Sequence, residues 1–128
     1  MIFQAIITNS NASQVFQSPF IGVYKVYLRN IEYHKNLGAL QEEMIQLRSN
    51  TIINQTALSG NQGNRIVFLN SACNQGKYNN SFLVGDNVRI SGQFDLTAST
   101  FPTGAALPGG AGGYNQIGVT LEFEKVSD

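Results

Sequence analysis

Side chains able to do covalent, acid–base or metal chemistry are few in this chain, and they are scattered. There is one histidine, His34, and one cysteine, Cys73. A cysteine nucleophile needs a base beside it, and the only imidazole is far away in sequence. Cys73 therefore reads as a small buried or half-buried residue, and with no second cysteine it cannot close an internal disulfide. The carboxylates are Glu32, Glu42, Glu43, Asp86, Asp95, Glu122, Glu124 and Asp128. A metal site needs such groups clustered. Glu122 and Glu124 share a strand face, but a solvated outer face explains them. Asp86-Asn87 after Gly85 reads as turn chemistry, because a calcium loop would need more oxygen ligands close by. Glycoside hydrolysis needs two carboxylates flanking one bond, and no pair is singled out. His34, near Glu32, is expected at a strand end on the surface. The glycines from Gly109 to Gly113 lack the Lys and Ser/Thr of a phosphate loop. No catalytic, cofactor-binding or metal-binding residue is assigned, and the chain is expected to be non-enzymatic.

Ligand contact is a separate matter. Tyr78 and Tyr114 lie in amide-rich or glycine-rich stretches beside Asn79 and Asn115. Exposed tyrosine with neighbouring amides can stack on and hydrogen-bond a sugar, so these four residues are the candidate partner or glycan contacts. The plainer reading is that the rings pack on their own domain. Three N-glycosylation patterns begin at Asn11, Asn54 and Asn79. In a chain so rich in Asn, Ser and Thr they decide nothing.

The elements that would position these residues follow from composition and pattern. The 128 residues (13.9 kDa) fit one domain. Charged residues make up only 12%, about half the usual share. Amides supply the missing polarity, with 14 Asn and 10 Gln. A net charge of zero argues against electrostatic capture of nucleic acid or anionic membrane. No stretch approaches the ~20 apolar residues that span a bilayer. Residues 1–17 carry no Lys or Arg and are broken by Asn9, Ser10, Asn11 and Ser13, unlike a secretory signal.

Period-two alternation dominates. From Val88 to Thr97 the even positions are apolar or small and the odd positions polar, the pattern of a strand with one buried face. Val119, Leu121 and Phe123 alternate with Thr120, Glu122 and Glu124 in the same way. In Phe20–Tyr33, Tyr24, Val26 and Leu28 form one row. Residues 65–70 read as a short buried strand, and residues 3–8 and 82–84 as shorter ones. Residues 37–47 are ambiguous. Leu37, Leu40, Met44 and Leu47 have helical spacing, but a turn near Gly38 followed by a strand from about Met44 to Ser49 is the preferred reading. Amide-rich loops cover residues 59–64 and 74–80. A proline- and glycine-rich loop covers residues 100–116. Gly92 marks a bulge or bend; Gly92→Val is expected to crowd that bend, and Gly110→Ala to be mild. These elements predict an all-β fold: an antiparallel, jelly-roll-like β-sandwich of about eight strands. Residues 1–19 would form an N-terminal arm or edge strand, and residues 20–128 a single sandwich domain.

The order of segments carries a resemblance. Val23–Ile31 is followed by Met44–Ser49, an amide-rich loop and Arg65–Leu69. Val88–Leu96, a Pro/Gly loop and Val119–Glu124 close the chain. This resembles the single jelly-roll penton and minor capsid proteins of large double-stranded DNA viruses, over roughly residues 20 to 126. The resemblance is one of strand order and texture, not of a motif. It implies a capsid building block of the virion, without catalytic residues, whose partners are further copies and other capsid proteins. A carbohydrate-binding sandwich is the alternative.

Overall fold

A computed structural model describes residues 1–38, 40–54, 65–70, 73–79, 81–110 and 113–128. Seven strands run in order: β1 (Ile2–Thr8), β2 (Ser13–Lys35), β3 (Glu43–Arg48), β4 (Arg65–Asn70), β5 (Gln75–Tyr78), β6 (Phe82–Thr100) and β7 (Tyr114–Ser127). All pairings are antiparallel. The sheet order is β1-β7-β2-β6-β3-β4, with β5 also on β2. The fold is all-β and sandwich-like, as the sequence predicts, with seven strands among the described residues. Residues 1–19 supply β1, at one end of the strand order, and the first part of β2.

One sheet with one apolar face must fold over on itself to bury that face. The bends come from interruptions in the longest ladder. Between Gln17↔Gln93 and Ile21↔Ser91, β2 spends four steps where β6 spends two. Pro19, which has no N–H to donate, falls inside that gap. Opposite lies Gly92, with φ +87°. Bulges of this kind bend the strand and sharpen its twist. The bend lets rings from strands that are not ladder partners meet. Phe3 of β1 reaches Phe16 of β2 and Phe94 of β6, at 6.0 and 5.0 Å between centroids. Phe94 also lies 5.5 Å from Phe123 of β7, and Phe20, whose strand does pair with β7, stacks on the same Phe123 at 4.1 Å.

The alternation read from the sequence is the burial observed. Val88, Ile90, Phe94, Leu96 and Ala98 are buried, as are Ile117, Val119, Leu121 and Phe123. The row Tyr24, Val26 and Leu28 is buried too, until a register shift between Leu28 and Asn30 passes burial to Ile31, Tyr33 and Lys35. Segment 37–47 holds no helix among its described residues; β3 occupies Glu43–Arg48.

Three expectations change. Residues 82–84 and 88–97 are not separate strands, because Asp86 and Asn87 sit in a bulge within a continuous β6. Asn54 fastens that bulge: its Nδ2 donates to the Asp86 carbonyl at 2.8 Å and its Oδ1 accepts from the Asp86 N–H at 2.9 Å. The amide-rich stretch 74–80 contains β5, which forms against β2 from Ile31 to His34. The Pro/Gly loop is shorter, residues 101–110 and 113 among those described. It is tied down by backbone bonds from Tyr114 N–H to Pro108 O and from Asn36 N–H to Gly113 O, both 2.8 Å. The expected loop at residues 59–64 lies outside the described residues.

Space does not explain the role of Gly92, since a Cβ there would meet nothing closer than Ser18 O at 4.0 Å. Its positive φ does. A β-branched residue is a true outlier at that φ, so Gly92→Val should cost about 2–3 kcal/mol of stability. Gly110, at φ +71° in open space, should lose about 1 kcal/mol as Gly110→Ala. Denaturant melts of the two variants check the order; equal losses would contradict it.

Candidate functional site

The four candidate contact residues do not form one exposed site. β2 lies between β5, which holds Tyr78, and β7, which holds Tyr114 and Asn115. Asn79 and Asn115 are exposed and Tyr78 is half-buried. Tyr114 is 0% exposed, so its ring is closed to a ligand arriving from solvent. The reason is a register shift: Gln116 faces His34, but Tyr114 faces Lys35. Asn115 is bulged outward, and Tyr114 keeps the inward direction of Ile117. Both tyrosine rings pack against Tyr33, each with its centroid 6.4 Å away, and Tyr78 also packs on Phe68 at 5.7 Å.

The residues that sequence reading passed over are the ones gathered around Tyr114. Lys35 ends the inward row of Ile31 and Tyr33, and its side chain is fully buried. Its Nζ lies 2.9 Å from Glu43 Oε1 and donates to the Gln41 carbonyl at 2.8 Å. The ammonium also sits 5.1 Å from the Tyr114 ring and 5.8 Å from that of Tyr33, within the range of cation–π attraction. Asn70, opposite Glu43 across β3 and β4, donates through Nδ2 to the Tyr114 hydroxyl. Burial pushes the Tyr114 hydroxyl well above the ordinary phenol range; the Asn70 bond opposes this, and Glu43, Tyr33 and Tyr78 add to it. Tyr78 is raised too, by burial first and Tyr33 second. The signal available in the sequence was the alternation Ile31, Tyr33, Lys35, which places a lysine on an inward row.

A second polar cluster surrounds Asp95. Its carboxylate accepts from the Thr51 hydroxyl at 2.8 Å, the Ser49 hydroxyl at 3.1 Å and the Asn50 N–H at 3.0 Å. Burial would raise its pKa, but the Asn50 N–H, the Thr51 and Ser49 hydroxyls and its own N–H outweigh that, and the pKa is lowered. These bonds hold the turn after β3 against β6. Arg48, Ser49, Asn50, Asp95 and Thr97 line a cleft of about 170 Å³ there. A larger open groove, about 300 Å³, is lined by Glu32, His34, Gln75, Gly76 and Lys77. His34 is half-buried near the end of β2, and Lys77 approaches Glu32 at 4.0 Å.

Other candidates resolve as local structure. Glu122 pairs with Arg29 at 3.1 Å, and Glu124 is exposed. Cys73, expected to be at least half-buried, is exposed, because it lies between β4 and β5 and not on a strand. Among the described residues no three His, Cys, Asp or Glu side chains gather as metal ligands. No helix among them is long and apolar enough to cross a membrane.

The surface of β1 and early β2 differs from the rest. The first charged side chain in the chain is Lys25, so β1 and half of β2 carry none. Ile2, Ile6, Val15 and Ile21 are nevertheless exposed, at 54, 46, 59 and 67%. Compared with known protein families, curated proteins and solved structures, the chain matches none.

Two predictions follow from the polar clusters. Glu43→Gln leaves a buried ammonium without its counterion. It should cost about 2–4 kcal/mol, discounted from a fully buried pair because the Glu43 side chain is partly exposed. Lys35→Met with Glu43→Leu should recover most of that loss. Urea unfolding of the single and double variants measures both. Because the folded pKa of Asp95 is lowered, its contribution is complete above the unfolded value near 3.9 and is lost as pH falls through the folded one. Tm should therefore drop in the acid range, and Asp95→Asn should flatten that part of the profile.

Proposed function

We propose that this chain is a non-enzymatic structural protein: a jelly-roll-like shell subunit of a virus particle that assembles with copies of itself and with other capsid proteins. The observation that carries the reading is the uncharged skin over β1 and early β2, with four exposed aliphatic side chains. Soluble monomers protect such edges with charge, proline or bulges. This edge strand has no charge and no proline, and it pairs with β7 through seven consecutive residues without a register shift. Amides and hydroxyls dominate the remaining polar surface. They form interfacial hydrogen bonds at a lower desolvation cost than charges do. Zero net charge removes long-range repulsion between copies. The resemblance in strand order to single jelly-roll penton and minor capsid proteins supplies the viral setting.

Sedimentation velocity over a hundredfold concentration range, followed by electron microscopy of the largest species, tests this. The expected result is a discrete oligomer with closed symmetry. A monomer at every concentration would contradict it.

A further inference from the structure

Resting on that reading, we propose that the outer edge of β1 pairs antiparallel with β1 of a second copy, with Gln4 on the twofold axis. The ladder shows which backbone groups are free. Met1 and Phe123 exchange both backbone bonds, Met1 N to Phe123 O at 3.0 Å and Phe123 N to Met1 O at 2.8 Å. Antiparallel ladders alternate every residue between bonded and non-bonded pairs. Phe3, Ala5 and Ile7 therefore turn their N–H and C=O toward β7, opposite Leu121, Val119 and Ile117. Ile2, Gln4 and Ile6 turn theirs outward, where no strand among the described residues pairs with them.

The far end of this edge is already occupied. The Thr8 carbonyl accepts from Asn11 N–H at 3.1 Å, and the Ile6 carbonyl accepts from Gln14 Nε2 at 3.0 Å. An incoming strand is thereby stopped at Ile6, and the open overlap is Ile2 to Ile6. The Ile6 carbonyl retains a second lone pair.

A second copy of the same strand fills that overlap better than an arbitrary partner does. Placed antiparallel about Gln4, Ile2 of one copy faces Ile6 of the other, and the relation repeats by symmetry. Both exposed isoleucines become cross-strand apolar pairs. Gln4 meets Gln4, amide to amide. About six backbone hydrogen bonds form. No charged side chain lies on either strand, so the twofold brings no like charges together. The sheet then runs unbroken from one protomer into the other.

Cross-linking tests the register. In a Cys73→Ser background, Gln4→Cys places two thiols across the axis with Cα atoms about 5.5 Å apart, inside disulfide range. Mild oxidation should convert most of that variant to a covalent dimer. Phe3→Cys and Thr8→Cys should stay largely monomeric, and a mixture of Ile2→Cys with Ile6→Cys should cross-link. Ile6→Lys, at an exposed position, should keep the wild-type Tm in solution dilute enough for both proteins to be monomeric, and raise the dimer dissociation constant at least tenfold. Cross-linking of Phe3→Cys in preference to Gln4→Cys would overturn the proposed axis. An oligomer unchanged by Ile6→Lys would overturn this interface while leaving the assembly reading intact. A wild-type protein that never self-associates would end both.

Discussion

A sheet with a single apolar face has to close over that face, and in this chain the closure depends on one interruption. Pro19 and its neighbours on β2 lie against Gly92 on β6 where the ladder loses register. The strands bend there, and phenylalanines from β1, β2, β6 and β7 converge into one cluster. The core at the other end is held by different means. Lys35, Glu43, Asn70 and Tyr114 form a polar group inside the fold that joins β2, β3, β4 and β7. Apolar stacking closes one end and directional polar contacts set the other.

Closure of this kind does not remove edges, as a fully hydrogen-bonded barrel would. The strand order still begins with β1 and ends with β4. An edge is a row of unpaired backbone groups, and its consequence depends on the side chains around it. At β1 those side chains are uncharged and partly aliphatic, and the strand is straight in register. The alternation that turns Phe3, Ala5 and Ile7 toward the core leaves Ile2, Gln4 and Ile6 facing outward. Under the proposed pairing, fold and assembly would be two faces of one alternation.

Much of the fold was legible because period two is a direct physical signature of a half-buried strand. The buried rows of β6 and β7 were readable residue by residue. What escaped was anything that changed the parity of that alternation. Tyr114 reads as a loop aromatic because glycines precede it; it lies an odd number of positions from Ile117, and only the bulge at Asn115 turns both inward. β5 has no apolar alternation, and it forms because β2 offers it an edge. The bulge at Asp86-Asn87 is held by Asn54, from a distant part of the chain. The uncharged edge was visible in composition, but its free backbone groups became identifiable only with the register of β1 on β7.

Residue-resolved amide exchange, followed as protein concentration is raised, tests the central claim most directly. The Phe3, Ala5 and Ile7 amides should be slow throughout, because they bond to β7. Those of Ile2, Gln4 and Ile6 should be fast in dilute solution and slow as copies associate. If the protein associates while those three amides remain fast, contact between copies is made elsewhere and the account of this edge is wrong.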